Sequence, residues 1–164
     1  MKKTLLIITL FITGVCLGQT YQLAEEFHEN GLPKAIKTYK VSKGKLELVK
    51  GITWYENGQK EGEVTYKDGE KDGLVIGWHG NGQKSLEENY KDGKIDGLFT
   101  QWYDNGQKVG EGTFKDGELD GLLILWYENG QKRQERTHKD GKIISWKCWD
   151  EDGNECECLN GGCK

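Results

Sequence analysis

Along this chain, short segments in which apolar and polar residues alternate are separated by glycine-containing pairs at regular intervals. In Leu122-Leu123-Ile124-Leu125-Trp126, the residues Leu122, Ile124 and Trp126 share one face of an extended segment, because side chains alternate along a strand. Leu74, Ile76 and Trp78 follow the same spacing, as do Leu98, Thr100 and Trp102. The return segments carry Tyr66, Tyr90 and Phe114, expected as an aromatic column on the tryptophan face. Asn-Gly and Asp-Gly pairs lie between the segments and predict hairpin turns. A type I′ turn needs positive φ at both central residues, and this is the conformation expected of Asn57-Gly58 and its equivalents.

The pattern is a repeat. Trp54-Tyr55-Glu56-Asn57-Gly58-Gln59-Lys60 returns from Trp78, Trp102 and Trp126 with a period of 24 residues. Lys-Asp-Gly keeps the same step from Lys67, Lys91, Lys115 and Lys139, and a second Asp-Gly follows at Asp72-Gly73, Asp96-Gly97 and Asp120-Gly121. Degenerate copies flank these units, at Phe27-His28-Glu29-Asn30-Gly31 and at Trp149-Asp150-Glu151-Asp152-Gly153. Atypical end units are what stacked arrays require. The predicted fold is therefore all-β, an elongated antiparallel hairpin meander of 24-residue units. At about 4.8 Å per strand it should form a ribbon about 50–60 Å long.

Composition fits thin burial. The chain has 24 glycines, one proline and six tryptophans among 164 residues, with a mean hydropathy of −0.77. Large rings set in a polar, glycine-rich background suggest many short strands, each contributing one bulky side chain.

The first residues read as an export signal over 1–18. Lys2 and Lys3 form its positive start, and Leu5 to Val15 an apolar run too short to span a bilayer. Cleavage fits Cys16-Leu17-Gly18, leaving Gln19 first; lipidation at Cys16 is the alternative, although Val15 is large for the position before such a cysteine. The array then covers 19–147, with four clear units from Trp54 and a degenerate first unit near 21–50, and 148–164 is a degenerate last turn with a cysteine-rich tail. Loss of Lys2 and Lys3 takes the net charge from −4 to −6, which argues against nucleic acid as a partner and less strongly against membranes. The expected location is periplasmic, cell-surface or secreted.

The unit Trp-Tyr-x-Asn-Gly-Gln-Lys, followed by Tyr-Lys-Asp-Gly-x-x-Asp-Gly-Leu, resembles the bacterial variant of the MORN repeat, as found in proteins described as YwqK-family antitoxins. That resemblance implies a hairpin meander without enzymatic activity. For partners it implies a spread of roles: protein assembly, membrane lipids or toxin neutralisation.

The tail holds Cys148, Cys156, Cys158 and Cys163. An even set in an exported chain favours two disulfides, with three connectivities open and a direct Cys156–Cys158 link the least favoured. A tetrathiolate zinc site is the sharper alternative, but the spacing lacks paired C-x2-C knuckles. Free or intermolecular thiols are the third. The recurring Asp-Gly pairs are explained by turn geometry, and no dense D-x-D-x-D cluster suggests calcium. His28, His79 and His138 occupy repeat positions, and Ser42, Ser85 and Ser145 lack a nucleophile-elbow context. No catalytic, metal or cofactor site is expected.

Tyr55, His79, Tyr103 and Tyr127, beside Phe99, Leu123 and Leu125, are the partner-binding candidates, expected on the face opposite the tryptophans. The competing reading is that they pack over neighbouring strands. The expected role is a protein-binding module, antitoxin- or immunity-like in its sharpest form. The alternative is a self-associating envelope scaffold, with peripheral membrane binding the weaker third.

Overall fold

A computed structural model describes residues 8–9, 20–159 and 162–163. Most of the export segment therefore lies outside the described residues. The strands are β1 (Ile8–Thr9), β2 (Thr20–Phe27), β3 (Pro33–Ser42), β4 (Lys45–Trp54), β5 (Lys60–Lys67), β6 (Glu70–Trp78), β7 (Lys84–Lys91), β8 (Lys94–Trp102), β9 (Lys108–Lys115), β10 (Glu118–Trp126), β11 (Lys132–Lys139), β12 (Lys142–Trp149), β13 (Glu155–Cys156), β14 (Cys158–Leu159) and β15 (Gly162–Cys163). The first thirteen form one sheet in strict chain order, and β14 and β15 form a separate pair. Every pairing is antiparallel. This is the hairpin meander that the 24-residue period predicts.

The two turns of each unit divide the work differently from the sequence expectation. Asp68, Asp92, Asp116 and Asp140 have positive φ, as do the glycines after them, so the Asp-Gly pairs are the type I′ hairpins. Among the Asn-Gly pairs only the glycine is left-handed. Gly58 donates its amide to Tyr55 O, and Tyr55 donates to Gln59 O, each at 2.9 Å. That is a type I turn followed by a left-handed glycine, the three-residue hairpin loop. The asparagine is chosen for its side chain: Asn57 Oδ1 accepts from the Gln59 amide at 3.0 Å, fixing the turn locally. The second Asp-Gly pairs make no turn. Gly73, Gly97 and Gly121 take positive φ inside β6, β8 and β10, where the register shifts, and form bulges.

Cross-strand partners share a face, so the register assigns the faces. Leu123 pairs with Gly112 and Arg136, and Gly112 with Phe99. Phe114, two residues beyond Gly112, joins them, and the Phe99 and Phe114 rings meet edge-to-face at 5.8 Å. The Tyr66, Tyr90 and Phe114 column therefore lies on the phenylalanine face, not with the tryptophans as expected. The reason is the two-residue turn, which pairs Phe114 with Leu119, an odd-numbered position like Leu123. The bulge adds two residues to β10 and leaves that parity intact.

Burial is thin. Val75, Leu123 and Cys148 are the buried apolar side chains among the described residues. On the phenylalanine face, side chains fold over glycines: a Cβ on Gly112 would come within 3.0 Å of Leu123 Cδ1, and one on Gly110 within 2.9 Å of Leu125 Cδ2. The tryptophan face carries Trp78, Trp102, Trp126 and Trp149, each with a lysine of the preceding unit over its ring at 5.3–5.9 Å. Those lysines, Lys60, Lys84, Lys108 and Lys132, also bridge to Glu63, Glu87, Glu111 and Glu135.

The four tail cysteines are arranged as two disulfides, Cys148–Cys158 and Cys156–Cys163, one of the three connectivities open to the sequence. β13 extends the sheet edge beside Cys148 and Trp149. Cys148 pairs with Gln134 on the phenylalanine face, and both are below 2 % exposure, the largest side chains so buried among the described residues. The tail thus covers the end of one face as well as part of an edge. The preceding turn ends the array: Asp150 accepts from Asn154 Nδ2 at 3.1 Å, from Asn154 N at 2.8 Å and from Asp152 N at 3.1 Å, and these hydrogen bonds, that of the Asn154 side chain foremost, hold its carboxyl below the usual aspartate range.

Candidate interaction surface

The 24-residue spacing of Tyr55, His79, Tyr103 and Tyr127 places them at the start of the Asn-Gly loops, one per unit, where they bind the next unit. Tyr55 Oη donates to Trp78 O at 2.7 Å, Tyr103 Oη to Trp126 O at 3.1 Å and Tyr127 Oη to Trp149 O at 3.0 Å. His79 Nε2 lies 2.8 Å from Trp102 O, and His28 Nε2 the same distance from Trp54 O. A carbonyl only accepts, so both imidazoles carry their proton on Nε2. A second ladder runs beside the first: Asn30, Asn57, Asn81, Asn105 and Asn129 donate Nδ2 to the carbonyls of Glu56, Gly80, Asp104, Glu128 and Glu151.

The polar ends of the tyrosine column are thus engaged within the array, while the rings remain half-exposed. Phe99, Leu123 and Leu125 form a separate group, gathered over Gly110 and Gly112. The seven candidates therefore divide into an edge ladder and a packed strip of one face. We expect Tyr103→Phe, which deletes one hydroxyl and keeps the ring, to lower stability by about 1 kcal/mol. Urea denaturation of the two proteins measures this; an unchanged midpoint would remove the ladder as a stabilising element.

A surface that the sequence reading assigned only to strand alternation is the stripe Leu74, Leu98 and Leu122. These are 38 %, 49 % and 45 % exposed and recur every second strand on the tryptophan face, about 10 Å apart. The available signal was position: each directly follows the bulged Asp-Gly, midway along its strand.

Charge on the tryptophan face is mostly neutralised in place. Glu63 sits between Lys50 Nζ at 2.5 Å and Lys60 Nζ at 2.9 Å. Burial pushes its carboxyl up, but the hydrogen bonds from the two lysines outweigh this and hold it below its ordinary 4.5. A carboxyl depressed in the folded state contributes stability that is present above the unfolded value and lost as pH falls through the folded one. Glu63→Gln should therefore flatten the acid limb of the melting curve below about pH 4.5, and melting temperatures at several acidic pH values test it. Parallel limbs for the two proteins would show that the pair contributes nothing.

His138 stands where Tyr66, Tyr90 and Phe114 stand in earlier units. It is buried, with Nδ1 lacking a hydrogen-bond partner. Arg136 lies on the same strand, its guanidinium 4.6 Å from the Trp146 ring and Nη2 donating to Gln134 Oε1 at 2.6 Å.

No curated protein matches the chain. The MORN repeat variant matches it four times, at residues 50–68, 71–92, 95–116 and 119–140, together just over half of the sequence and in register with the hairpin units above. A 24-residue unit of a type I′ turn, a bulged strand, a tryptophan and an Asn-Gly loop, repeated in that register, places the chain in the MORN repeat variant family.

Proposed function

We propose that this is an exported, non-catalytic protein-binding module whose recognition surface is the open sheet, centred on Leu74, Leu98 and Leu122. The observation carrying this reading is the leucine stripe: three large apolar side chains, exposed at matching positions on a frame stiffened by two hydrogen-bond ladders. Exposed apolar surface held at fixed spacing suits a partner with little ordering cost on the array side. Export is supported by the paired tail cysteines, since disulfides persist in oxidising compartments. An immunity-like role, in which the partner is a toxin met outside the cytoplasm, is the sharper form of the same reading.

The test is a cross-linked pull-down of the protein from its native envelope, compared with a Leu98→Glu/Leu122→Glu variant and a Tyr103→Ala/Tyr127→Ala variant. A stoichiometric partner lost with the leucine variant, at unchanged folding, supports the module; loss with the tyrosine variant alone moves the surface to the loop edge. Co-sedimentation with anionic liposomes and no protein partner would replace the reading with membrane association. Recovery of the protein alone favours the scaffold.

A further inference from the structure

We propose that the Asn-Gly pairs of the five loops are deamidation sites held silent by the docking of the following unit, and that conversion permanently severs a junction that has opened. The pairs are Asn30-Gly31, Asn57-Gly58, Asn81-Gly82, Asn105-Gly106 and Asn129-Gly130; Asn160-Gly161 lies outside the described residues. Asparagine before glycine is the least hindered setting for this reaction, because glycine puts no Cβ beside the attacking nitrogen. The glycine nitrogen attacks Asn Cγ, the Cγ–Nδ2 bond breaks, and the glycine amide proton leaves with Nδ2 as ammonia. Water then opens the cyclic imide at either carbonyl, giving aspartate or isoaspartate. Water is the only co-reactant, and all five asparagines are exposed to it, so burial does not protect them.

Geometry protects them instead. The glycine amide is engaged with the first carbonyl of its loop at 2.8–3.0 Å, and Asn Oδ1 accepts the amide two residues on at 2.9–3.0 Å. Both bonds lie within the loop. The third crosses to the next unit: Nδ2, the leaving group, donates to the carbonyl of Glu56, Gly80, Asp104, Glu128 or Glu151 at 2.7–3.1 Å. A side-chain amide anchored at both its oxygen and its nitrogen cannot swing its carbon onto the neighbouring backbone, and only docking supplies the second anchor. Asp152-Gly153 shows what the amide is for. It holds the same loop position after Trp149, with Gly153 at a φ of 87° and its amide 3.1 Å from Asp150 O, so the turn closes without an asparagine. The amide stands where Nδ2 has a junction to make. A carboxylate in its place sets acceptor against acceptor at the next carbonyl, and isoaspartate also lengthens the loop backbone, so the rung does not re-form.

Peptide mapping by mass spectrometry tests this on protein aged at mildly alkaline pH until conversion is measurable, folded, unfolded in urea, and as the folded Tyr103→Phe variant. Each of the five pairs should convert far more slowly folded than in urea. Tyr103→Phe removes the rung beside Asn105, from Tyr103 Oη to Trp126 O, and leaves the loop's own bonds in place. Loss of one such hydrogen bond should open that junction about fivefold more often. Asn105 should therefore convert faster by the same factor, while the other four pairs keep their rates. Equal rates folded and unfolded, a common rise at all five sites, or no change at Asn105 overturns the proposal. Asn105→Asp tests the severing itself: its urea midpoint should fall, and a midpoint equal to that of the unsubstituted protein overturns that part of the proposal.

Discussion

Trp102→Ala should lower the stability of the array by about 2–3 kcal/mol, somewhat less than a fully buried tryptophan costs because this ring is only half-buried. The side chain sits mid-array at the end of β8, with Lys84 over its ring at 5.9 Å, while its backbone carbonyl accepts the His79 imidazole. Truncation removes the ring and the lysine's seat but keeps the carbonyl in its ladder. In an array where each unit touches only its neighbours, the damage should be local. Hydrogen exchange should show β7, β8 and β9 losing protection well before β3 and β4. Uniform loss across all strands would mean that the sheet behaves as one cooperative block, against the nearest-neighbour picture.

Removing the tail staple should have a comparable effect at one end. Cys148–Cys158 and Cys156–Cys163 span sequence separations of 10 and 7 residues, and short loops of this order stabilise by about 2–3 kcal/mol each where the chain-entropy account holds. Reduction also uncovers Cys148 and Gln134. We expect Cys148→Ala/Cys158→Ala, or treatment with reductant, to fray β12 and β13 first and lower the urea midpoint. Thiol titration of the untreated protein is the companion check, since reactive thiols among these four cysteines would contradict both bridges.

Much of this architecture could be read from residues alone, and the exceptions have physical causes. The period, the strand order and the antiparallel pairing follow from Trp54, Trp78, Trp102 and Trp126 with their turn pairs, because a tight turn leaves a strand no option but to pair with its neighbour. Turn type was less legible. Asn-Gly and Asp-Gly look equivalent as dipeptides, yet Asn57 is recruited for a side-chain acceptor and Asp68 for left-handed backbone. The face of Phe114 required the register, which depends on where the two-residue turn closes. Tyr103 was legible as a column but not as a donor, since its acceptor is a backbone carbonyl 23 residues away. The tail connectivity needed the fold, because Cys148 stands opposite Cys156 on the adjacent strand yet is bonded to Cys158, while Cys156 is bonded to Cys163.

The turn at Asp150–Asn154 has a consequence for how such a chain changes length. Every earlier loop holds a proton donor at this position, passing one bond forward to the following unit. Asp150 substitutes an acceptor and turns its bonding back on its own loop, so the sequence of handovers stops at this loop. Ends and middle therefore obey separate grammars. A 24-residue unit inserted between Trp54 and Trp126 would find a donor behind it and an acceptor ahead, and neither terminus would register the change. Length in this protein is a free variable, adjustable by duplication without redesigning the junctions, so the reach of the ribbon can evolve independently of what holds it together.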